Sequence, residues 1–229
     1  MTDTETLPNP NRRNCVWRFI QILFQIFCAT WLRLRVRGKE HLPKEGALLL
    51  ANHQSFLDPL LIGVHLQRPV SYLARDSLFR IPVIGWILKK TYVMSIRRES
   101  AGTESLRKSI ARLEHGFYVG MFPEGTRSAD GEIGELKPGF VALIRRAKVP
   151  IIPVGIAGAF EALPRKSLWI RPVKVRVVFG EPISVETIQE LSEKGRRDEF
   201  LKLVHQRLID CHHEAVEWRT DKVDPATKS

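Results

Sequence analysis

The sequence predicts an α/β fold: a mixed, mostly parallel sheet flanked by helices, with a membrane-associated helix at the N-terminus. Three observations lead there. From residue 46 onward, short apolar runs alternate with longer amphipathic stretches, the pattern of strands separated by covering helices. The runs ALLLAN, PVSYLA, TYVMSI, FYVGMF, PIIPVGI and VKVRVVFG are nearly continuous in apolar residues, as strands buried on both faces are. Ahead of them stands one greasy segment with a basic end, CVWRFIQILFQIFCATWLRLRVRGK.

Residues 1–13 are polar, hold two prolines and read as a disordered tail. The greasy segment predicts a helix over 14–35. Arg18, Gln21 and Gln25 fall on one narrow polar stripe, and almost everything else up to Leu32 is apolar. A bilayer span takes roughly 20 apolar residues, and this run is shorter and interrupted. Arg33, Arg35, Arg37 and Lys39 follow directly. A greasy helix with a basic flank reads best as an interfacial or shallow re-entrant anchor. Two other readings remain. One is a helix packed on its own domain. The other is a signal peptide, with Arg12 and Arg13 before the apolar run and Cys28, Ala29 and Thr30 after it.

One domain over 36–220 accounts for the rest, with a second tail at 221–229. Helices are expected at about 59–67, 84–90, 103–114 and 139–147. One or two charged helices then follow from Val185 to Trp218, with Phe200, Leu203, Val204 and Leu208 as their inner stripe. The chain of 229 residues is long enough for one well-filled core. A hydrophobic share of 44% and a charged share of 27% are those of a globular protein. The net charge of +11 favours an anionic partner: nucleic acid, an anionic membrane or a phosphorylated substrate. Cys15, Cys28 and Cys211 are far apart, which argues against a disulfide framework or a structural zinc and suits a reducing compartment.

Two stretches share a histidine and an aspartate five residues apart: NHQSFLD, with His53 and Asp58, and HQRLID, with His205 and Asp210. The second lies in a periodic helix, where five residues turn about 500° and leave the pair about 140° apart. His205 and Asp210 are therefore expected to be solvated and separate. The first follows the strand ALLLAN and precedes Pro59, a favoured helix-start residue. His53 then sits where a strand ends and Asp58 where a helix begins. Two readings fit. Asp58 is a helix cap and His53 a turn residue, or the two form a general base held by a carboxylate. Ser55, two positions from the base, is poorly placed as a nucleophile, and there is no GxSxG elbow. A nucleophile brought by the substrate is simpler.

FPEGTRS, residues 122–128, follows the strand FYVGMF. Its Arg127 can grip a phosphate, helped by backbone amides around Gly125. Glu124 and Arg127 can equally form a structural pair that stiffens the turn. Arg97 and Arg98 end TYVMSI, as a third polar cluster at a strand end. Three such clusters suggest one cleft with a base and an anion-binding wall.

NHQSFLD, the arginine of SIRR, FPEGTRS and VPIIPVGI resemble, in order and spacing, the four signature blocks of the glycerolipid acyltransferases. The match is closest to the 1-acylglycerol-3-phosphate acyltransferases and spans roughly residues 36–182. The resemblance implies transfer of an acyl group from acyl-CoA or acyl carrier protein to a lysophospholipid hydroxyl, with no metal or bound cofactor. It implies a histidine–aspartate pair near an acyl tunnel and a membrane-associated N-terminal segment. His53 would be the base and Asp58 its orienting partner. Glu124, Gly125 and Arg127 would belong to the acceptor site, with Arg127 on the phosphate. Arg98 matches the arginine of the second block. Arg97 stands where that family often has aspartate, which bears on the acceptor's identity. Lys137, in LKPG, is a further candidate for the anion. Backbone amides of the histidine turn would stabilise the oxyanion.

The acceptor implied is 1-acylglycerol-3-phosphate, giving phosphatidic acid. Glycerol 3-phosphate or another lyso-lipid, such as an ornithine lipid, is the alternative. The basic flank and unpaired cysteines point to the cytoplasmic face of a membrane carrying anionic lipids. A metal-dependent phosphohydrolase built on His53, Asp58 and Glu124 is a rival, but dense histidine and carboxylate clusters are missing, and His212 and His213 point apart on a helix. A lipid or nucleic-acid binder is another rival. No nucleic-acid partner is expected, because aromatic and basic residues do not interleave.

Overall fold

The computed structural model describes residues 7, 9–10, 14–96, 101–191 and 195–220. Its strands are β1 (Arg35–Arg37), β2 (Ala47–Ala51), β3 (Val70–Ser71), β4 (Leu73–Arg75), β5 (Met94–Ile96), β6 (Tyr118–Met121), β7 (Ile151–Ala157) and β8 (Arg176–Phe179). Its helices are α1 (Cys15–Thr30), α2 (Asp58–Gly63), α3 (Asp76–Phe79), α4 (Pro82–Lys90), α5 (Ala101–Glu114), α6 (Gly139–Ala147), α7 (Ala159–Ala162), α8 (Val185–Leu191) and α9 (Arg197–Thr220). Six strands form one sheet in the order β1-β8-β7-β2-β6-β3. β7, β2, β6 and β3 run parallel, and β8 is antiparallel to β7. The sheet is thus mixed and mostly parallel, as expected. β4 and β5 make a separate parallel pair.

The period of two along β2 sends Leu49 and Ala51 to one face and Leu48 and Leu50 to the other. The first face packs with Ile152, Val154 and Ile156 of β7 against Leu61 and Ile62 of α2. The second packs against Phe140, Leu143 and Ile144 of α6 and Phe200, Val204 and Leu208 of α9. Helices on both faces are why β2 and β7 are apolar at nearly every position.

The C-terminal region resolves into two helices, α8 and α9. Phe200, Val204 and Leu208 are fully buried, Leu203 is half-buried, and the buried stripe continues through Cys211, His212, Ala215 and Trp218. Four short elements escaped the sequence reading: β1, α3, α7 and a 3-10 turn at Lys39–His41.

The N-terminal helix is shorter than the sequence suggests. It ends at Thr30, not residue 35, and Arg35–Arg37 is an edge strand paired with β8. In RLRVR basic and apolar residues alternate with the period of a strand. Two residues of the polar stripe, Gln21 and Gln25, face inward, while Arg18 is exposed and donates to Gln21 Oε1 (2.8 Å). Gln21 Nε2 donates to the carbonyls of Val64 (3.0 Å) and Leu66 (2.7 Å), and Gln25 Nε2 to that of Val64 (2.8 Å). These carbonyls lie just past α2, where a helix leaves acceptors unpaired. The opposite face is apolar and open, with Phe19 70% and Ile26 60% exposed. Among the described residues, no helix is long and apolar enough to cross a membrane.

Candidate active site

β2 and β6 are parallel neighbours, with Leu50 beside Met121. The turns that follow them, NHQSFLD and FPEGTRS, therefore leave the same edge of the sheet side by side. Asn52 clamps the exit from β2. Its Nδ2 donates to Ile156 O (2.9 Å) and its Oδ1 accepts from Ile156 N (2.7 Å), so a side chain extends the β2–β7 ladder. Two hydrogen bonds at the main chain of His53 then join the turns, one to a side chain and one to main chain. His53 N donates to Glu124 Oε1 (2.8 Å), and Ser128 N donates to His53 O (2.7 Å).

The turn folds His53 onto Asp58, with Nδ1 to Oδ2 at 2.8 Å. The same Oδ2 accepts from the amides of Gln54 and Ser55, each at 2.7 Å. Asp58 therefore reaches back across the turn, and α2 has no side-chain cap at all. The geometry is that of an oriented base, not of a helix cap. A carboxylate oxygen only accepts, so the Nδ1 of His53 is the donor in this contact, and in the neutral ring that leaves the lone pair on Nε2. The His53 side chain is 19% exposed and that of Asp58 is closed to solvent. Burial pushes the Asp58 carboxyl up, while His53 and the two amides pull it back. The imidazole stacks on Phe122 at 4.0 Å, and Phe122 stacks in turn on Tyr72 at 6.1 Å.

The amides of His53, Gln54 and Ser55 are all committed to carboxylates. These three are not free to serve an oxyanion. The Ser55 hydroxyl is also committed: it donates to Leu163 O (3.2 Å) and accepts from Leu57 N (3.3 Å). HQRLID is a separated pair, with Asp210 bonded to Gln206 at 2.8 Å. His205, however, is half-buried with its Nε2 enclosed, not solvated.

Glu124 pairs neither with Arg127 nor with solvent. It is buried, with Oε1 on His53 N and Oε2 on Gly134 N (3.1 Å). Burial pushes its carboxyl up, and the two amides pull it down. Oε1 thus joins the two turns and Oε2 braces the loop that follows FPEGTRS, so both oxygens are engaged in a clamp. Glu124→Gln keeps the size but points an NH2 group at one of two amide donors. Turnover is expected to fall about tenfold to a hundredfold with the substrates' KM nearly unchanged, measured by steady-state kinetics. An unaltered kcat would contradict the clamp.

Arg127, Gly125 and Lys137 share the outer side of the same loop. The Arg127 guanidinium lies 3.7 Å over the ring of Phe56, within the histidine turn. It makes no ion pair among the described residues. Gly125 takes φ +69°, and a Cβ there would meet Lys137 Nζ at 2.9 Å. Glycine is thus required both for the turn and for room to lay Lys137 across it. Arg97 and Arg98 lie outside the described residues; β5 ends just before them at Ile96. Among the described residues, no group of three or more His, Cys, Asp and Glu side chains is placed to hold a metal ion.

A histidine–aspartate pair at a strand end thus lies beside a loop with two cations that form no ion pair among the described residues. The profile of the Acyltransferase family matches residues 33–157. The 1-acyl-sn-glycerol-3-phosphate acyltransferase of Bacillus subtilis (strain 168) is 30% identical over 197 residues, 82% of this chain and 96% of its own. The chloroplastic enzyme LPAT1 of Arabidopsis thaliana, of the same name, is 28% identical over 193 residues, 82% of this chain but 54% of its own. The crystal structure of the 1-acyl-sn-glycerophosphate acyltransferase PlsC from Thermotoga maritima superposes with a TM-score of 0.74 at 25% identity, covering 91% of this chain and 82% of that one. The chain belongs to the 1-acylglycerol-3-phosphate acyltransferase family and is an O-acyltransferase.

Proposed function

We propose that the enzyme moves a fatty acyl group from acyl-CoA or acyl carrier protein to the free hydroxyl of 1-acylglycerol-3-phosphate, giving phosphatidic acid. The observation that carries this reading is the fixed His53–Asp58 pair beside Arg127 and Lys137, cations that form no ion pair among the described residues. Nε2 of His53 takes the acceptor's hydroxyl proton as the oxygen attacks the thioester carbonyl. The carbon–sulfur bond breaks, and the imidazolium returns the proton to the departing thiolate. Asp58 stabilises the imidazolium between the two steps. Arg127 holds the phosphate, with Lys137 beside it; the family pattern assigns Arg98 to the same anion, and Arg97, where that family often has aspartate, adds a further positive charge. This positioning offsets several kcal/mol of barrier. The reaction needs no metal ion or bound cofactor.

An apolar cavity of about 250 Å³ supports the lipid part of the reading. It lies between α1, α2 and α4 and is lined by Phe24, Leu60, Tyr72 and Ile87, with Pro59 next to Asp58. Tyr72 connects it through Phe122 to the His53 ring. The open apolar faces of the helices around it support attachment to a membrane: Phe19, Leu23 and Ile26 on α1, and Val83, Ile84 and Trp86 on α4. The bases around α4, including Arg75, Arg80, Lys89 and Lys90, suit an anionic lipid surface. We assign the enzyme to the cytoplasmic face, as a peripheral or monotopic protein.

The acceptor is tested by competition. Palmitoyl-CoA is supplied with equal amounts of lysophosphatidate, glycerol 3-phosphate and lysophosphatidylcholine, and products are read by mass spectrometry. Phosphatidate should dominate, and Arg127→Leu should raise the KM for lysophosphatidate about tenfold or more, as loss of a charge-assisted phosphate contact does. Equal use of the zwitterionic lipid would overturn the acceptor assignment.

A further inference from the structure

We infer that His212, on α9, is a positioning residue for the catalytic turn, acting through the side chain of Gln54. The inference rests on His53 being the base. Gln54 is buried, and its amide orientation is fixed by two main-chain partners: Nε2 donates to Gly131 O (2.7 Å) and Oε1 accepts from Phe160 N (3.3 Å). Its Nε2 also lies 3.3 Å from Nε2 of His212. An amide NH2 only donates, so the His212 nitrogen facing it must accept. His212 is therefore the neutral tautomer protonated on Nδ1.

His212 is 3% exposed. Burial holds its imidazole below the usual histidine range, and neighbouring His213 acts the same way. Glu132 and Glu161 oppose them. The acceptor nitrogen is thus kept free of a proton. The adjacent His213 is exposed, so the two residues have different roles on one helix.

The contact exists because α9 presses unusually close to the sheet. A Cβ on Gly155 of β7 would sit 2.2 Å from the Cys211 carbonyl and 2.4 Å from His212 N. Glycine at that point lets the α9 backbone touch the strand, next to Ile156, which clamps Asn52. From His212 the path to the reacting atoms is short. Gln54, held at its side chain, donates its own backbone N–H to Asp58 Oδ2, the atom that orients the His53 ring. The same side chain ties the turn to Gly131, in the loop beyond FPEGTRS. Nothing else on α9 bonds to the turn among the described residues.

The test compares His212→Leu, which removes the acceptor, with His212→Gln, whose carbonyl oxygen can replace Nε2. His53→Ala is assayed alongside. His212→Leu should lose about tenfold to a hundredfold in kcat with both KM values within twofold, at an intact melting transition. His212→Gln should recover most of the loss. Wild-type kcat in His212→Leu, or equal losses in the two variants, would overturn the inference. If His212→Leu does not fold, Gln54→Leu cuts the same bond from the other side, and an unchanged kcat there would overturn it equally. Activity surviving in His53→Ala would instead remove the base on which the inference rests.

Discussion

Asp58→Asn is expected to lower kcat by about three to four orders of magnitude, the scale on which an acid–base histidine fails when its orienting carboxylate becomes an amide. Three N–H groups converge on Asp58 Oδ2, from His53, Gln54 and Ser55. An asparagine that turns its oxygen toward them loses the charge that stabilises the imidazolium. It also puts an NH2 group where Oδ1 now lies buried without a partner, at a cost of about 1–3 kcal/mol. Turned the other way, it meets three donors with two more. The variant should therefore be both slow and less stable. Activity is measured at a temperature below its melting transition, and a loss of less than tenfold would contradict the role of Asp58.

His53→Ala is expected to cost about 10²- to 10⁴-fold in kcat without a comparable loss of stability. The main-chain bonds of residue 53, to Glu124 and from Ser128, do not involve the ring. The two turns should stay joined; the variant gives up the stacking of the imidazole on Phe122 and one of the three donors on Asp58 Oδ2, where the amides of Gln54 and Ser55 remain. Substrate KM values should barely move, because the ring acts in the transition state. A proportional rise in KM with kcat kept would make His53 a binding residue.

The contrast between the two variants follows from where each side chain sits, and it shows what could be read beforehand. Buried strands such as ALLLA and IIPVGIA are apolar throughout, so their elements and the layered fold were legible. The placement of His53 and Asp58 was legible too, because a strand, a short turn and Pro59 leave little freedom. Polar side chains that bond to distant backbone were not. Nothing local distinguishes Glu124 as a clamp on His53 N from Glu124 as an acceptor ligand, since its partners lie 71 and 10 residues away. Gln54 and His212 are 158 residues apart and meet only because Gly155 admits α9. The polar stripe of α1 was visible, but its direction was not: Gln21 and Gln25 face inward because the end of α2 offers them carbonyls. In Arg35–Arg37 the charge drew attention, while the alternation that marks a strand was the better signal.

The most direct measurement follows thiol release from palmitoyl-CoA by the purified enzyme in mild detergent, with and without lysophosphatidate, for the wild type and His53→Ala. If His53 is the base, release depends on lysophosphatidate in the wild type and disappears in the variant. Release that continues unchanged in His53→Ala would contradict that role.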